Sequence, residues 1–504
     1  MTIITLFAKL SGLLRVSLFA SLFGTSHHAD VFLGAARLPV LFFDLTLGAA
    51  ILSTFIPIFN QKLTLDGKKS ADEFANNFVN ITLLLTFIIC TLGVIFSPQI
   101  VRIMLPGFDA YMAAAATQIL RILFPVIIFT ALAFTSVGIL QSHGEFNIPA
   151  LISLVANVIM ILYLLVFGQD FGIVGISIAM LIGWSMQFLI QIPSLIKKGF
   201  RYKFVFKPKD SAMRGAVKLA IPVLVSSWVH PIGVALNVMF ASGLDEGSIS
   251  GLEFANTLYI VGFGIFALAT SNFIFPALSK MSAAGDAEGF KKTVKTSLSY
   301  LTYAVVPIMA LFIALATPII QLLYQRGAFD DNSVRIAAGA LMFYSFGMVA
   351  HSIAEILNKT FFAMQDGKTP MFAALIGIAC NAALSSFLML GLGIQDVRVL
   401  ALSAAVGMTV TAAILIAAIS VKKDVLNLKF VTNLFRKIIC GASVAVTAFF
   451  TYSALGEVLP GEGVFSLVAK LSLASAAGLV VYLVFCWVFR VEEQRGLLGK
   501  LLKK

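Results

Sequence analysis

Residues 150–157 read ALISLVAN and residues 374–381 read ALIGIACN, a similar word 224 positions later that keeps its opening Ala-Leu-Ile and its closing Asn. At that offset Gln141 falls on Gln365. Two further landmarks recur in order: FIPIF at 55–59 against FIFPA at 273–277, and PGFD at 106–109 against GAFD at 327–330. Each member of a pair occupies the same place relative to long apolar runs, so the chain reads as one design used twice.

Outward from these words, the apolar runs decide the class. A helix of roughly 20 apolar residues spans a hydrocarbon core of about 30 Å. Fourteen such runs are read, at 2–24, 31–60, 75–99, 112–140, 147–168, 171–196, 213–242, 248–279, 293–324, 333–363, 369–392, 396–421, 434–456 and 464–490. With 59% hydrophobic residues and only 12% charged, the polar surface is too small to cover a water-soluble globule of 504 residues. Mean hydropathy is +0.98. The runs are continuously apolar rather than alternating, which excludes a transmembrane β-barrel. The fold class is an all-α polytopic membrane protein.

Equivalent landmarks are six crossings apart, so the two halves share one orientation, the parallel-repeat arrangement of some alternating-access transporters. The expected organisation is an N-terminal lobe over 1–196, a basic linker at 197–214, a C-terminal lobe over 215–421, and two extra helices with a basic tail over 422–504. No long polar stretch leaves room for a soluble domain. Lys9 and Arg15 interrupt the first apolar run, so helix 1 reads as retained rather than as a cleaved signal.

A net charge of +12 would suggest nucleic acid in a soluble protein, but here the cations sort by loop. Lys62, Lys68, Lys69, the run from Lys197 to Arg214, Lys280, Lys291, Lys292, Lys422, Lys423, Lys429, Arg436, Lys437 and the C-terminal tail all fall on one side. The opposite loops hold little besides Arg102, Arg326, Arg335 and Arg398, and one of them reads Asp245-Glu246. This asymmetry places both termini in the cytoplasm and predicts no nucleic-acid partner. Cys90, Cys380, Cys440 and Cys486 lie singly in apolar runs and read as small buried hydrophobes.

Charged residues inside such helices are costly and mark function. Helix 1 carries Lys9 and Arg15; helix 2 carries Asp30, Arg37 and Asp44 at heptad spacing, a single stripe. The alternative to function is simple snorkelling for Lys9 and Asp30, and a mutual ion pair holding helices 1 and 2 together for Arg15, Arg37 and Asp44. The second half offers Glu253, Asn256 and Thr257, and on helix 10 His351, Glu355 and Lys359, a four-residue step that also reads as an ion-pair ladder. No Walker A loop, metal-ligand His pair or Ser/His/Asp set is found, so neither a cofactor nor an enzyme activity is expected. A coupling ion, Na⁺ or H⁺, stays open.

The words Ser11-Gly12-Leu13-Leu14-Arg15, Ala29-Asp30-Val31-Phe32, Arg37-Leu38-Pro39, Phe55-Ile56-Pro57, Leu105-Pro106-Gly107-Phe108, and the run from Phe361 to Lys368-Thr369-Pro370 resemble the MurJ (MviN) lipid II flippases. These belong to the multidrug, oligosaccharidyl-lipid and polysaccharide exporter superfamily. The resemblance runs over essentially the whole chain. It implies two lobes around a cationic cavity, alternating access, and an undecaprenyl-pyrophosphate-linked substrate, with membrane lipids and cell-wall synthesis proteins as further partners. By position it gives Arg15 to the pyrophosphate, beside Lys9, Arg37 and Asp30. It also marks departures: Val16 stands where the family has Asp, Phe43 (beside Asp44) and Thr257 where it has Arg. Three alternatives remain: a flippase for another polyprenyl-pyrophosphate saccharide, a cation-coupled drug exporter using Asp30, Asp44 and Glu355, and a membrane scaffold whose cavity no longer cycles.

Overall fold

Lipid offers no hydrogen bonds, so a chain this apolar must satisfy its backbone within each segment. The computed structural model is accordingly helical, and among its described residues no strand occurs. It describes residues 2–43, 49–217, 220, 229–423, 428–459, 461 and 463–494. Asp44, parts of the helix expected at 213–242, and the tail from Arg495 to Lys504 lie outside them.

In chain order the helices are α1 (Thr2–Phe23), α2 (His27–Phe43), α3 (Ala49–Leu65), α4 (Gly67–Ile95), α5 (Ser97–Met104), α6 (Ala110–Leu123), α7 (Val126–Ser142), α8 (Asn147–Val166), α9 (Gly172–Leu189) and α10 (Ile192–Lys197). They continue with α11 (Val229–Ala241), α12 (Ser248–Ala284), α13 (Ala287–Ala314), α14 (Ala316–Tyr324), α15 (Asp331–Ser345), α16 (Met348–Ala363), α17 (Lys368–Ser386), α18 (Val397–Lys423), α19 (Leu428–Val458) and α20 (Val464–Val488). Ten spans among the described residues are long and apolar enough to cross a membrane, or eleven if α15 and α16, bent by 52°, count as one. The expected count of fourteen is not reached on this test.

Two of the expected runs, 112–140 and 293–324, are broken at or near prolines. Pro125 sits where α6 gives way to α7, and Pro318 lies in the first turn of α14 after the break at Leu315, each removing a ladder donor. The run expected as one helix over 31–60 is described as α2 and α3, either side of 44–48.

The chain divides into two compact units, Met1–Ser250 with Arg326–Phe329, and Gly251–Gln325 with Asp330–Lys504. In the first, α8 packs on α1 and α9, α7 on α3, α4 and α9, α6 on α2, and α11 on α2 and α5. In the second, α18 packs on α15, α16 and α17, while α19 packs on α13 and α20.

The internal repeat is visible as repeated physics. Asp109 and Asp330, from the matching PGFD and GAFD words, both cap helices, accepting from Met112 N and Ser333 N at 2.8 Å each. Gly183 and Gly407, also 224 apart, lie where two helices nearly touch. A Cβ on Gly183 would stand 3.2 Å from Ala156 O, and one on Gly407 2.5 Å from Gly377 O. Lys198 and Lys422, again 224 apart, reach back to the turn before α8 and α17 respectively. Lys198 Nζ donates to His143 O at 3.3 Å, and Lys422 Nζ to Thr369 Oγ1 at 3.0 Å and to the Asp366 carboxylate.

One cation departs from the charge reading. Lys437, expected among the surface cations, is only 1% exposed. Its Nζ donates to Glu493 Oε1 at 2.7 Å, Ser299 O at 2.9 Å and Thr302 Oγ1 at 3.0 Å. Asn433 Nδ2 adds bonds to both Glu493 oxygens, so the pair is satisfied inside the second unit.

Candidate functional site

At one end of the first unit, four loops that the charge pattern assigns to the side opposite the basic loops come together: 24–26, 105–109, 242–250 and 326–329. Glycine makes this junction possible. Gly24 has φ +57° and a Cβ there would lie 2.4 Å from Ala328 O; Gly327 has φ +58° and would meet Ser21 O at 2.3 Å. Any other residue would need both a strained backbone and displaced carbonyls. Ala328 N donates to Ser21 O at 2.8 Å, and Gly107 N to Ser242 Oγ at 3.2 Å.

Asp30 closes the junction. It is 3% exposed, in the first turn of α2, and its carboxylate accepts from Gly247 N at 2.8 Å and Ser250 N at 2.7 Å. A carboxylate at the start of α12 satisfies orphan amides and complements the helix dipole. One turn earlier, His27 N donates to Glu246 Oε1 at 2.8 Å and His27 Nε2 lies 3.0 Å from Glu246 Oε2. In the sequence Asp30 stands out only as a polar group in a helix; the clasp has no local signal, because the partners are backbone amides more than 200 residues away.

The cations sit on α1 and α2. Lys9 is exposed; Arg15 and Arg37 are half-buried. On a helical projection Arg15 shares a face with Ala8, Ser11 and Gly12. That face meets α8, where Asn157 Nδ2 donates to Ala8 O and Ser11 Oγ, both at 3.1 Å. Asn157 is the last residue of the repeated word ALISLVAN, so the landmark has a packing role one turn from Arg15. Phe43, standing where the resemblance has an arginine, is 5% exposed with its ring 5.9 Å from that of Phe134. A guanidinium would have to displace an aromatic core there.

In the second unit the polar residues line up between α12 and α16. His351 Nδ1 and Tyr259 OH are 3.0 Å apart, and the imidazole stacks on Phe263 at 4.1 Å. Glu355 Oε1 accepts from Ser271 Oγ at 3.4 Å, and Lys359 Nζ stands 5.8 Å over the Phe275 ring. The three therefore reach across to α12 at rising positions along it. Thr257 Oγ1 donates to Glu253 O at 2.9 Å, while Glu253 and Asn256 are half-buried. Among the described residues no group of three or more His, Cys, Asp or Glu is placed to hold a metal ion.

The sequence model described as lipid II flippase MurJ matches residues 19–483. The chain belongs to the lipid II flippase MurJ family. A probable lipid II flippase MurJ of Vibrio cholerae is 29% identical over 394 residues, 76% of this chain and 75% of that protein. Another, from Buchnera aphidicola subsp. Acyrthosiphon pisum, is 28% identical over 391 residues, 77% of this chain and 76% of that one. A solved lipid II flippase MurJ in an inward closed conformation superposes with TM-score 0.80 at 25% identity, covering 97% of this chain and 98% of that structure. An inward-facing multidrug-resistance MATE family transporter of the MOP superfamily shares the fold alone, with TM-score 0.67 at 16% identity over 82% of this chain and 95% of that one.

Proposed function

We propose that this chain is a flippase that takes lipid II, an undecaprenyl-pyrophosphate-linked peptidoglycan precursor, from the inner leaflet of the bacterial cytoplasmic membrane and presents it at the outer leaflet by alternating access. The observation that carries this is the family match across residues 19–483. It is a transporter, not an enzyme, with both termini in the cytoplasm and no cofactor, and the coupling ion, Na⁺ or H⁺, is left unassigned. The repeat lobes 1–196 and 215–421 are the moving parts, joined by 197–214, with 422–504 outside the repeat.

Chemistry supports the assignment of roles. A pyrophosphate is multiply anionic, and charge-assisted, bidentate bonds from arginine suit it best. Arg15, with Lys9 and Arg37, supplies cations on α1 and α2, and Asn256 and Thr257 supply neutral polar groups; Asp44, the third member of the sequence stripe, is assigned with them. Glu253, His351, Glu355 and Lys359 are assigned to coupling or gating, since His351 and Glu355 can exchange protons. The clasp made by Asp30 is assigned to the outer seal, which must part to release the cargo. Because that carboxylate is already committed to two backbone amides, it is poorly placed to bind a cationic drug, which weighs against the exporter reading.

Binding tests this directly. Purified protein titrated with lipid II should bind it, and Arg15→Ala should weaken binding about ten- to hundredfold, the loss of one charged hydrogen bond of roughly 1.5–3 kcal/mol. Unchanged affinity would remove Arg15 from the site. The buried ring of Phe43, which leaves no arginine there, favours a second reading with a different head group. In that case polyprenyl-pyrophosphates carrying other sugars would bind as tightly as lipid II.

A further inference from the structure

The linker after α10 is no loose tether. Residues 200–207 belong to no helix, yet their backbone is held by three asparagines of α4 that are at most 6% exposed. Asn76 accepts from Lys203 N at 2.8 Å and donates to Arg201 O at 3.2 Å. Asn77 accepts from Lys207 N at 2.6 Å and donates to Lys207 O at 2.9 Å. Asn80 donates to Val205 O at 3.0 Å and accepts from Tyr202 OH at 2.6 Å. Side-chain amides thus stand in for a neighbouring strand, and a 2.6 Å ion pair from Lys207 to Glu73 fastens the end.

What this strap displays is unusual for a surface loop. Phe204 is 79% exposed, Tyr202 58% and Phe206 45%, interleaved with exposed Arg201, Lys203 and Lys207 and followed by Lys209. The face of α4 that carries it decides what it meets. Leu84 and Phe87 lie within about 40° of Asn80 on the helical projection and only some 6–11 Å further along the axis. Both are exposed, at 46% and 62%, on a segment apolar enough to cross a membrane, so this face turns to lipid within one or two turns.

We propose that residues 201–209 form a membrane-interface strap, its aromatic rings seated at the headgroup level beside the lipid face of α4 and its cations binding anionic phospholipid headgroups. Aromatic rings favour that depth, and basic side chains near a bilayer surface attract anionic lipids. The strap would hold the first unit at a fixed depth whatever the cargo, so it stands apart from the choice of substrate.

The test places a polarity-sensitive fluorophore at position 204 by Phe204→Cys, in a chain whose four native cysteines are alanine, reconstituted in nanodiscs of phosphatidylcholine or an equal mixture with phosphatidylglycerol. Expected are a blue-shifted emission compared with a Ser211→Cys control, quenching by lipids with brominated chains, and stronger quenching when the bromine is on phosphatidylglycerol. Arg201→Gln with Lys203→Gln and Lys209→Gln should abolish that lipid preference, and Asn80→Ala should reduce the blue shift. Phe206→Cys is a second probe should the first fail to elute as a single folded species. A water-like emission without quenching, or equal quenching by the two lipids, overturns the proposal.

Discussion

Replacing Asp30 by asparagine should loosen one end of the first unit without unfolding it. The carboxylate is 3% exposed and accepts two backbone N–H groups at 2.7 and 2.8 Å, one on each oxygen. An amide of the same shape has one acceptor oxygen, so one bond is lost and an N–H₂ group faces a donor. A hydrogen bond to a charged group contributes about 1.5–3 kcal/mol, which converts to roughly a ten- to hundredfold shift toward the open form. Alanine would lose both bonds, so asparagine is the cleaner probe. Thr25, 7% exposed and against Gly247, reports on opening. With the native cysteines replaced by alanine, Thr25→Cys should react slowly with a membrane-impermeant maleimide in intact cells and at least tenfold faster when combined with Asp30→Asn. Equal rates in the two backgrounds would refute the reasoning that Asp30 clasps this end shut.

Three further expectations follow from the second unit and the repeat. Lys437→Met alone should strand Glu493 as a buried charge and cost about 3–5 kcal/mol, whereas Lys437→Met with Glu493→Leu should recover most of it; thermal unfolding in detergent separates the two. Asp366 is opposed by partial burial, yet bonds from Lys422 and Thr369 prevail and hold its carboxyl down from 3.8 to about 2. The group's pKa is depressed on folding, so its stabilisation is fully present above pH 3.8 and fades as pH falls toward 2. The unfolding temperatures of the parent chain and Asp366→Asn should differ at neutral pH and converge in that window; a constant gap would contradict it. Gly407→Ala places a Cβ 2.5 Å from Gly377 O and should destabilise by about 1–3 kcal/mol, seen as a lower unfolding midpoint.

Much of the architecture is legible in the residues because lipid makes the rules simple: continuous apolar length means a helix, and ordered recurrence at a nearly constant offset means a repeat. Gln141 and Gln365, or Asp109 and Asp330, could be paired by eye, and the structure gives the second pair the same capping role. The bends were less legible, since a proline such as Pro125 breaks a helix while Pro307 sits inside one. What stayed hidden depends on partners far along the chain. Nothing local distinguishes Lys437 from the surface lysines, or marks Asn76, Asn77 and Asn80 as a rail for a linker over 120 residues away. The left-handed glycines at 24 and 327 likewise acquire meaning only once each faces the other's loop. The candidate cations were found because charge is rare in such helices, but which face each occupies needed the packing of α1 on α8.

The claim on which the functional account stands is outward movement of a lipid-linked cell-wall precursor. In the native host, depletion of this protein followed by leaflet-resolved measurement of lipid II should show the precursor accumulating on the inner leaflet, with rescue by the parent chain and weak rescue by Arg15→Ala. Undiminished lipid II on the outer leaflet after depletion would contradict it.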